Sequence, residues 1–226
     1  CIQILNKEDL ADPDVTTEWL AHIETRQGVL AMAHQHEQPK LNRSLLQRVR
    51  ALVPSKGTRP VAAMILGIPN VGKSTLINAL SGRAIAKTGN KPAITRLQQR
   101  VKIGKELVLW DTPGFLWPRL SPPVCGYRLA VTGAISDRVV EAQDIAHFLV
   151  GFLVERYPDR LISQYGLTEL PEGEMAVLEA IGRRRGCLRK GGVVDLERAS
   201  NALLKELNSG GLGRISLETQ ADCISL

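Results

Sequence analysis

Residues 61–80 read VAAMILGIPNVGKSTLINAL, and this stretch decides the fold. Val61–Leu66 is a short apolar run of strand type, and Ser74–Leu80 carries helical spacing. Between them Gly67-Ile68-Pro69-Asn70-Val71-Gly72-Lys73-Ser74 fits GxxxxGK[ST] at every fixed position. A strand that passes through a glycine-rich turn into a helix aims backbone N–H groups and the helix N-terminus at one point, where an anion is stabilised. Asn70, Val71, Gly72, Lys73, Ser74 and Thr75 are therefore expected to cradle phosphates. Lys73 would reach the outer phosphates and the Ser74 hydroxyl would face Mg²⁺.

Two further motifs follow from this one. Asp111-Thr112-Pro113-Gly114 closes the strand-like run Leu107–Trp110, where Asp111 can hold the metal through water and the Gly114 N–H can sense a terminal phosphate. Asn6-Lys7-Glu8-Asp9 closes the run Cys1–Leu5. A carboxylate at Asp9 accepts from both N1–H and the exocyclic amine of guanine, a donor pair that adenine lacks. Asn6 would tie the loop together and reach the base edge, and the Lys7 stem would cover the ring. In an ordinary small GTPase this base-reading motif follows DTPG, whereas here it precedes the phosphate loop. That order implies a circularly permuted domain, a change that leaves the sheet intact where the old termini are close.

The rest of the chain fits the same plan. Apolar runs at Cys1–Leu5, Val29–Ala33, Val61–Leu66, Val101–Ile103 and Leu107–Trp110 alternate with helical patterns at Thr16–Glu24, Leu41–Leu52 and Ser74–Leu80. The last two runs flank a Gly104–Lys105 turn. Such alternation predicts an α/β domain with a mostly parallel sheet over residues 1–119. Beyond it, Ile145, Phe148, Leu149, Phe152 and Leu153, and then Leu196, Ala199, Leu203 and Leu207, recur at helical spacing. Residues 120–226 are thus expected to form a smaller all-helical domain.

Composition bounds the function. With 226 residues, 44% hydrophobic and 23% charged, the chain is neither a disulfide mini-protein nor a disordered one. Its apolar stretches fall short of the roughly 20 residues that span a bilayer. Four scattered cysteines, with no CxxC pair, indicate a reducing compartment, so a cytoplasmic location is expected. The chain opens on Cys1 without an initiator methionine, which reads as a fragment or a trimmed chain. Net charge is +6, and residues 1–119 hold 17 Lys/Arg against 9 Asp/Glu. Arg83, Lys87, Lys91, Arg96, Arg100, Lys102 and Lys105 run on without an acid until Glu106, a pattern of either a solvated basic face or a surface for a polyanion.

These residues closely resemble the YlqF/RbgA family of circularly permuted ribosome-biogenesis GTPases. The resemblance rests on LNKEDL at 5–10, GIPNVGKSTLINAL at 67–80, IAKTG at 85–89, KELVLWDTPGFLWP at 105–118 and RLAVTGAI at 128–135. YPDRL at 157–161, YGL at 165–167 and AIGRRRGC at 180–187 carry it through the helical part. It implies an Mg²⁺-dependent GTP-hydrolysing switch, slow alone and stimulated by the ribosome, whose GTP state binds a precursor of the large ribosomal subunit and its rRNA. A monomer is expected. Thr95 sits where the family's magnesium-binding threonine belongs, although the segment Lys91-Pro92-Ala93-Ile94-Thr95 departs from the usual PGxT. Asn70 resembles the asparagine that helps potassium-activated GTPases hold K⁺, against the alternative of an ordinary loop hydrogen bond.

Other departures limit the transfer. The family's upstream strand, helix and catalytic histidine have no counterpart in this sequence, so no catalytic base is assigned. No Ser-containing guanine loop is recognisable near Ala31–His34. Phe115 stands where many GTPases place a water-orienting glutamine, which an aromatic cannot replace, and it is expected to pack aside. Two rivals stay open at this stage: a P-loop ATPase, and a nucleotide-gated RNA-binding module with negligible turnover. His22, His34, His36 and His147 show no metal-ligand spacing. Arg183, Arg184, Arg185, Arg189 and Lys190 form either a solvated helix end or an RNA contact.

Overall fold

The computed structural model describes residues 1–35, 39–53, 60–85, 98–105, 107–135 and 141–224, in two compact units, Cys1–Pro118 and Arg119–Leu226. In the first unit β1 (Ile2–Asn6) pairs in parallel with β2 (Leu30–His34), which sets Asn6 beside His34. A second ladder runs in the order β3 (Val61–Ile65), β5 (Leu107–Asp111), β4 (Gln99–Ile103). There β3 is parallel to β5, with Ile65 beside Asp111, and β4 is antiparallel. The antiparallel pair has a plain cause: a connection of only three residues between Ile103 and Leu107, with Gly104 at φ 59°, can join only antiparallel strands.

Helices α1 (Pro13–Glu24), α2 (Pro39–Ala51) and α3 (Lys73–Ser81) complete this unit. The first begins three residues earlier than periodicity predicts. Asp12 caps it, its carboxylate accepting from the N–H groups of Asp14 at 3.0 Å and Val15 at 3.4 Å, and Pro13 fits the first turn. One apolar cluster joins Ile77 of α3 to Val101, Ile103, Leu107 and Leu109; another joins Leu76 to Met32 and Leu45. Ile65, Val49 and Leu80 pack against both, so the two ladders share one apolar layer. The other face of β3, β4 and β5 presents Met64, Trp110, Arg100 and Lys102, all exposed.

The second unit is helical: α4 (Pro123–Val131), α5 (Ala142–Arg156), α6 (Pro158–Tyr165), α7 (Glu174–Arg184), α8 (Leu196–Asn208) and α9 (Gln220–Ile224). Ile145, Leu149 and Leu153 of the expected stripe on α5 are buried, as are Ala199 and Leu203 on α8, while Phe148, Phe152, Leu196 and Leu207 pack around them half-buried. A polar knot sits at the edge. Glu206 accepts from Tyr165 Oη at 2.9 Å and pairs with Arg185 Nε at 2.6 Å, and the Arg185 guanidinium lies over the Tyr165 ring. Burial pushes the Tyr165 phenol far above its ordinary range, with the Glu206 hydrogen bond and charge adding to the rise. Among the described residues no helix is long and apolar enough to cross a membrane.

Two helical glycines separate packing from propensity. A Cβ on Gly182 of α7 would come 2.5 Å from Val194 Cγ1 and 3.0 Å from Ala199 Cβ, whereas one on Gly151 of α5 would meet only the Glu174 side chain, at 3.5 Å. Gly151→Ala is expected to stabilise the unit by about 0.5–1 kcal/mol. Gly182→Ala should destabilise it by about 1–3 kcal/mol through overpacking. Urea unfolding of both variants checks this, and a stabilised Gly182→Ala would mean that α7 does not approach Val194 and α8 this closely.

Candidate nucleotide site

The loop after β3 is shaped by two residues in the left-handed region, Asn70 at φ 58° and Gly72 at φ 92°, and α3 starts directly after them. Gly72 is required twice over. Its φ disfavours a side chain, and a Cβ there would run into the Asn6 amide nitrogen. Lys73 folds back over the loop, its Nζ donating to the carbonyls of Ile68 at 2.7 Å and Gly67 at 3.0 Å. Burial pushes the Lys73 ammonium pKa down, and the charge of Asp111 opposes that shift. The cation is thus held near the acidic end of β5.

The segment after β5 is clamped to this loop. Thr112 Oγ1 donates to the Ile65 carbonyl at 2.8 Å, and the Phe115 N–H donates to the Gly67 carbonyl at 3.3 Å. Gly114 touches it most closely: a Cβ there would lie 2.7 Å from Pro69 Cα, 2.8 Å from Pro69 N and 3.1 Å from Lys73 Nζ. Asp111, at 1% exposure, is nearly sealed at the strand end. Ser74 stands in the first turn of α3 beside Lys73, and Thr75 follows it.

Asn6, the last residue of β1, reaches across to the phosphate loop, its Nδ2 donating to the Val71 carbonyl at 2.8 Å. The chain then turns sharply. Lys7 takes φ 60°, and a 3-10 turn over Glu8–Leu10 leaves Asp9 exposed, its carboxylate accessible to a ligand. Sequence reading missed the support of Asn6. His34, at 0% exposure, places Nδ1 3.2 Å from Asn6 Oδ1 and Nε2 2.9 Å from Asn42 Oδ1 of α2. No local pattern marks it: the apolar run read there ends at Ala33, and only the strand register sets His34 beside Asn6.

The structure therefore brings together Asn6, Val71, Gly72, Lys73 and Gly114. Thr95, with the rest of its segment and the charges Lys87, Lys91 and Arg96, lies outside the described residues, as does His36. Phe115 is not packed aside: it is 59% exposed and meets Trp117 edge-to-face at 5.1 Å between ring centroids. Arg83, Arg100, Lys102 and Lys105 are exposed. The second basic cluster is largely engaged within its own unit, through Arg183–Glu179 at 3.6 Å, Arg184 to the Gly166 carbonyl at 2.9 Å, Arg185–Glu206, and Arg189–Asp195 at 3.1 Å.

A strand–loop–helix phosphate cradle, clamped by a DTPG segment and bridged to an NKxD loop that comes first in the chain, defines a circularly permuted P-loop GTPase fold. Comparisons with known proteins agree with that class. Residues 62–165 match the family described as 50S ribosome-binding GTPase. Ribosome biogenesis GTPase A of Bacillus cereus is 42% identical over 96% of this chain and 76% of its own length; that of Bacillus pumilus is 44% identical over 96% and 80%. Among solved structures, GNP-bound YlqF from T. maritima has a TM-score of 0.67 at 28% identity, covering 96% of this chain and 81% of that one. This chain belongs to the ribosome biogenesis GTPase A (YlqF/RbgA) family, and it is a GTP-binding, GTP-hydrolysing protein with a role in ribosome assembly.

The close approach of Gly114 to the phosphate loop can be tested directly. Gly114→Ala forces a methyl against the Pro69 backbone and towards Lys73 Nζ, so GTP turnover is expected to fall at least tenfold while the far-UV circular dichroism stays unchanged. Undiminished turnover in that variant would show that the two segments do not stay in contact.

Proposed function

We propose that this chain is a magnesium-dependent guanine-nucleotide switch that acts on the precursor of the large ribosomal subunit. Its GTP form would hold the particle and hydrolysis would release it. The observation that carries the reading is the 2.8 Å hydrogen bond from Asn6 to the Val71 carbonyl, because it makes one site of a base-reading loop and a phosphate loop. In this reading Asp9 accepts from guanine N1–H and the exocyclic amine, Asn6 holds the base edge, and the Lys7 stem covers the ring. Backbone N–H groups from Asn70 to Thr75 surround the phosphates, Lys73 swings from its loop carbonyls to the outer phosphates, and the Gly114 N–H reports the terminal one.

The donor chemistry suits Mg²⁺. Ser74 and Asp111 supply hard oxygens beside the phosphates, and Mg²⁺ is commonly held by one or two protein oxygens together with a nucleotide. Thr95 would be a third. When bound, the ion withdraws charge from the phosphate oxygens. The Asn70 side-chain oxygen is our candidate K⁺ ligand. Phe115 carries no group able to orient water, so turnover by the protein alone is expected to be slow, with the ribosomal particle supplying what is missing. We place the protein in the cytoplasm as a monomer.

The partner reading rests on charge and on kinship. The matched family is described as ribosome-binding, and Arg100 and Lys102 stand exposed on one face of β4 beside Trp110. Cosedimentation with large-subunit precursors tests it. Binding should be stronger with a non-hydrolysable GTP analogue than with GDP, should fall steeply with salt as counterions are released, and should weaken for Arg100→Glu/Lys102→Glu. Equal binding in the analogue, GDP and empty states at moderate salt would contradict the switch and leave nonspecific basic adhesion.

A further inference from the structure

We propose that His34 is a positioning residue of the guanine site, holding one edge of the Asn6 amide so that the other stays on the phosphate loop. The inference rests on the reading of Asn6–Asp9 as the base-reading motif, and its test is arranged so that the two can fail separately. The Val71 carbonyl can only accept a hydrogen bond. It therefore takes the NH₂ of Asn6, which turns Oδ1 towards His34. An Oδ1 can only accept in turn, so His34 Nδ1 carries the proton and donates across 3.2 Å. Nε2 then carries the lone pair and accepts across 2.9 Å, which requires the Asn42 amide of α2 to present its NH₂ there by a half-turn that exchanges its oxygen and nitrogen; the whole ring is sealed at 0% exposure.

Those contacts form a chain from α2 through β2 and β1 to the phosphate loop: Asn42, His34, Asn6, Val71. Parallel pairing sets its centre, because Asn6 and His34 are register partners at the carboxyl ends of adjacent strands. Without a donor at the Nδ1 position, Oδ1 of Asn6 loses its partner in a half-buried setting. The amide then gains freedom to turn, and a turned amide would set its oxygen against the Val71 carbonyl oxygen, acceptor to acceptor. Loss of His34 should consequently be felt at the nucleotide, through Asn6, while His34 itself touches no ligand. A merely structural histidine would affect folding without any dependence on which ring nitrogen is preserved.

That dependence is what the experiment reads. An asparagine at 34 can present an amide N–H near the Nδ1 position, while a glutamine reaches the Nε2 position instead. GDP affinity of the full chain is measured by fluorescence with a labelled nucleotide, alongside the thermal unfolding midpoint, for His34→Asn, His34→Gln, Asn6→Ala and the double variant Asn6→Ala/His34→Gln. We expect His34→Asn to stay within about threefold of the parent, and His34→Gln to lose tenfold or more while remaining folded. In the Asn6→Ala background the His34→Gln change should cost nothing further. Equal affinities for His34→Asn and His34→Gln, or additive losses in the double variant, would overturn the proposal. Asp9→Asn serves as the control on the base-reading motif: it should exchange GDP preference for xanthosine diphosphate, whose C2 carbonyl suits an amide donor. Its failure to do so would remove the base-reading assignment itself, and the role of His34 with it.

Discussion

The hydrogen bond from the Asn6 amide to the Val71 carbonyl is the constraint on which the rest of the site depends. It spans 65 residues of sequence and joins the end of one ladder to the loop that leaves another. Several local features converge on it. Gly72 lacks a Cβ where the amide nitrogen approaches, Lys7 turns through φ 60° immediately after Asn6 so that Asp9 emerges, and His34 is buried with its Nδ1 edge on the same amide. The apolar layer under both ladders, with Ile65 and Leu80 packed against both clusters, holds the two strand ends at the distance the bond requires.

Legibility in the sequence followed the range of the interaction. The phosphate loop was readable because its determinants are contiguous: a strand, glycines at fixed spacing, a lysine and a hydroxyl at the helix start. DTPG and NKxD were readable as strand-end motifs, and their order alone announced the permutation. His34 was not, because its partners are chosen by strand register and by the docking of α2, which brings Asn42 back from eight positions on, and neither leaves a local pattern. Phe115 was misjudged for a related reason. The sequence showed an aromatic beside a loop, but nothing local shows what is available to cover it, and its contact proves to be another exposed aromatic, Trp117.

Charge was the least legible property. The cluster from Arg183 to Lys190 looks like an RNA surface when read along the chain, yet the folded unit returns an acid or a carbonyl to most of it. Glu179, one helical turn from Arg183, could have been anticipated; Glu206, which binds both Arg185 and Tyr165, could not. By contrast, Arg100 and Lys102 alternate with the buried Val101 and Ile103, so the pleat itself directs them outward together. On the second unit Arg183 and Arg189 stay largely exposed although each is paired with an acid.

The side-chain amide of Asn6 offers the most direct test of the account, since its two protons report the bond to Val71 without reference to turnover or partner. In ¹⁵N-labelled protein, hydrogen exchange of that NH₂ group, assigned by its loss in Asn6→Ala, should be markedly slowed in the nucleotide-free state and remain slow with GDP bound. An Asn6 amide that exchanges at the rate of a free side chain in both states would contradict the claim that the base-reading and phosphate loops are one mechanical unit.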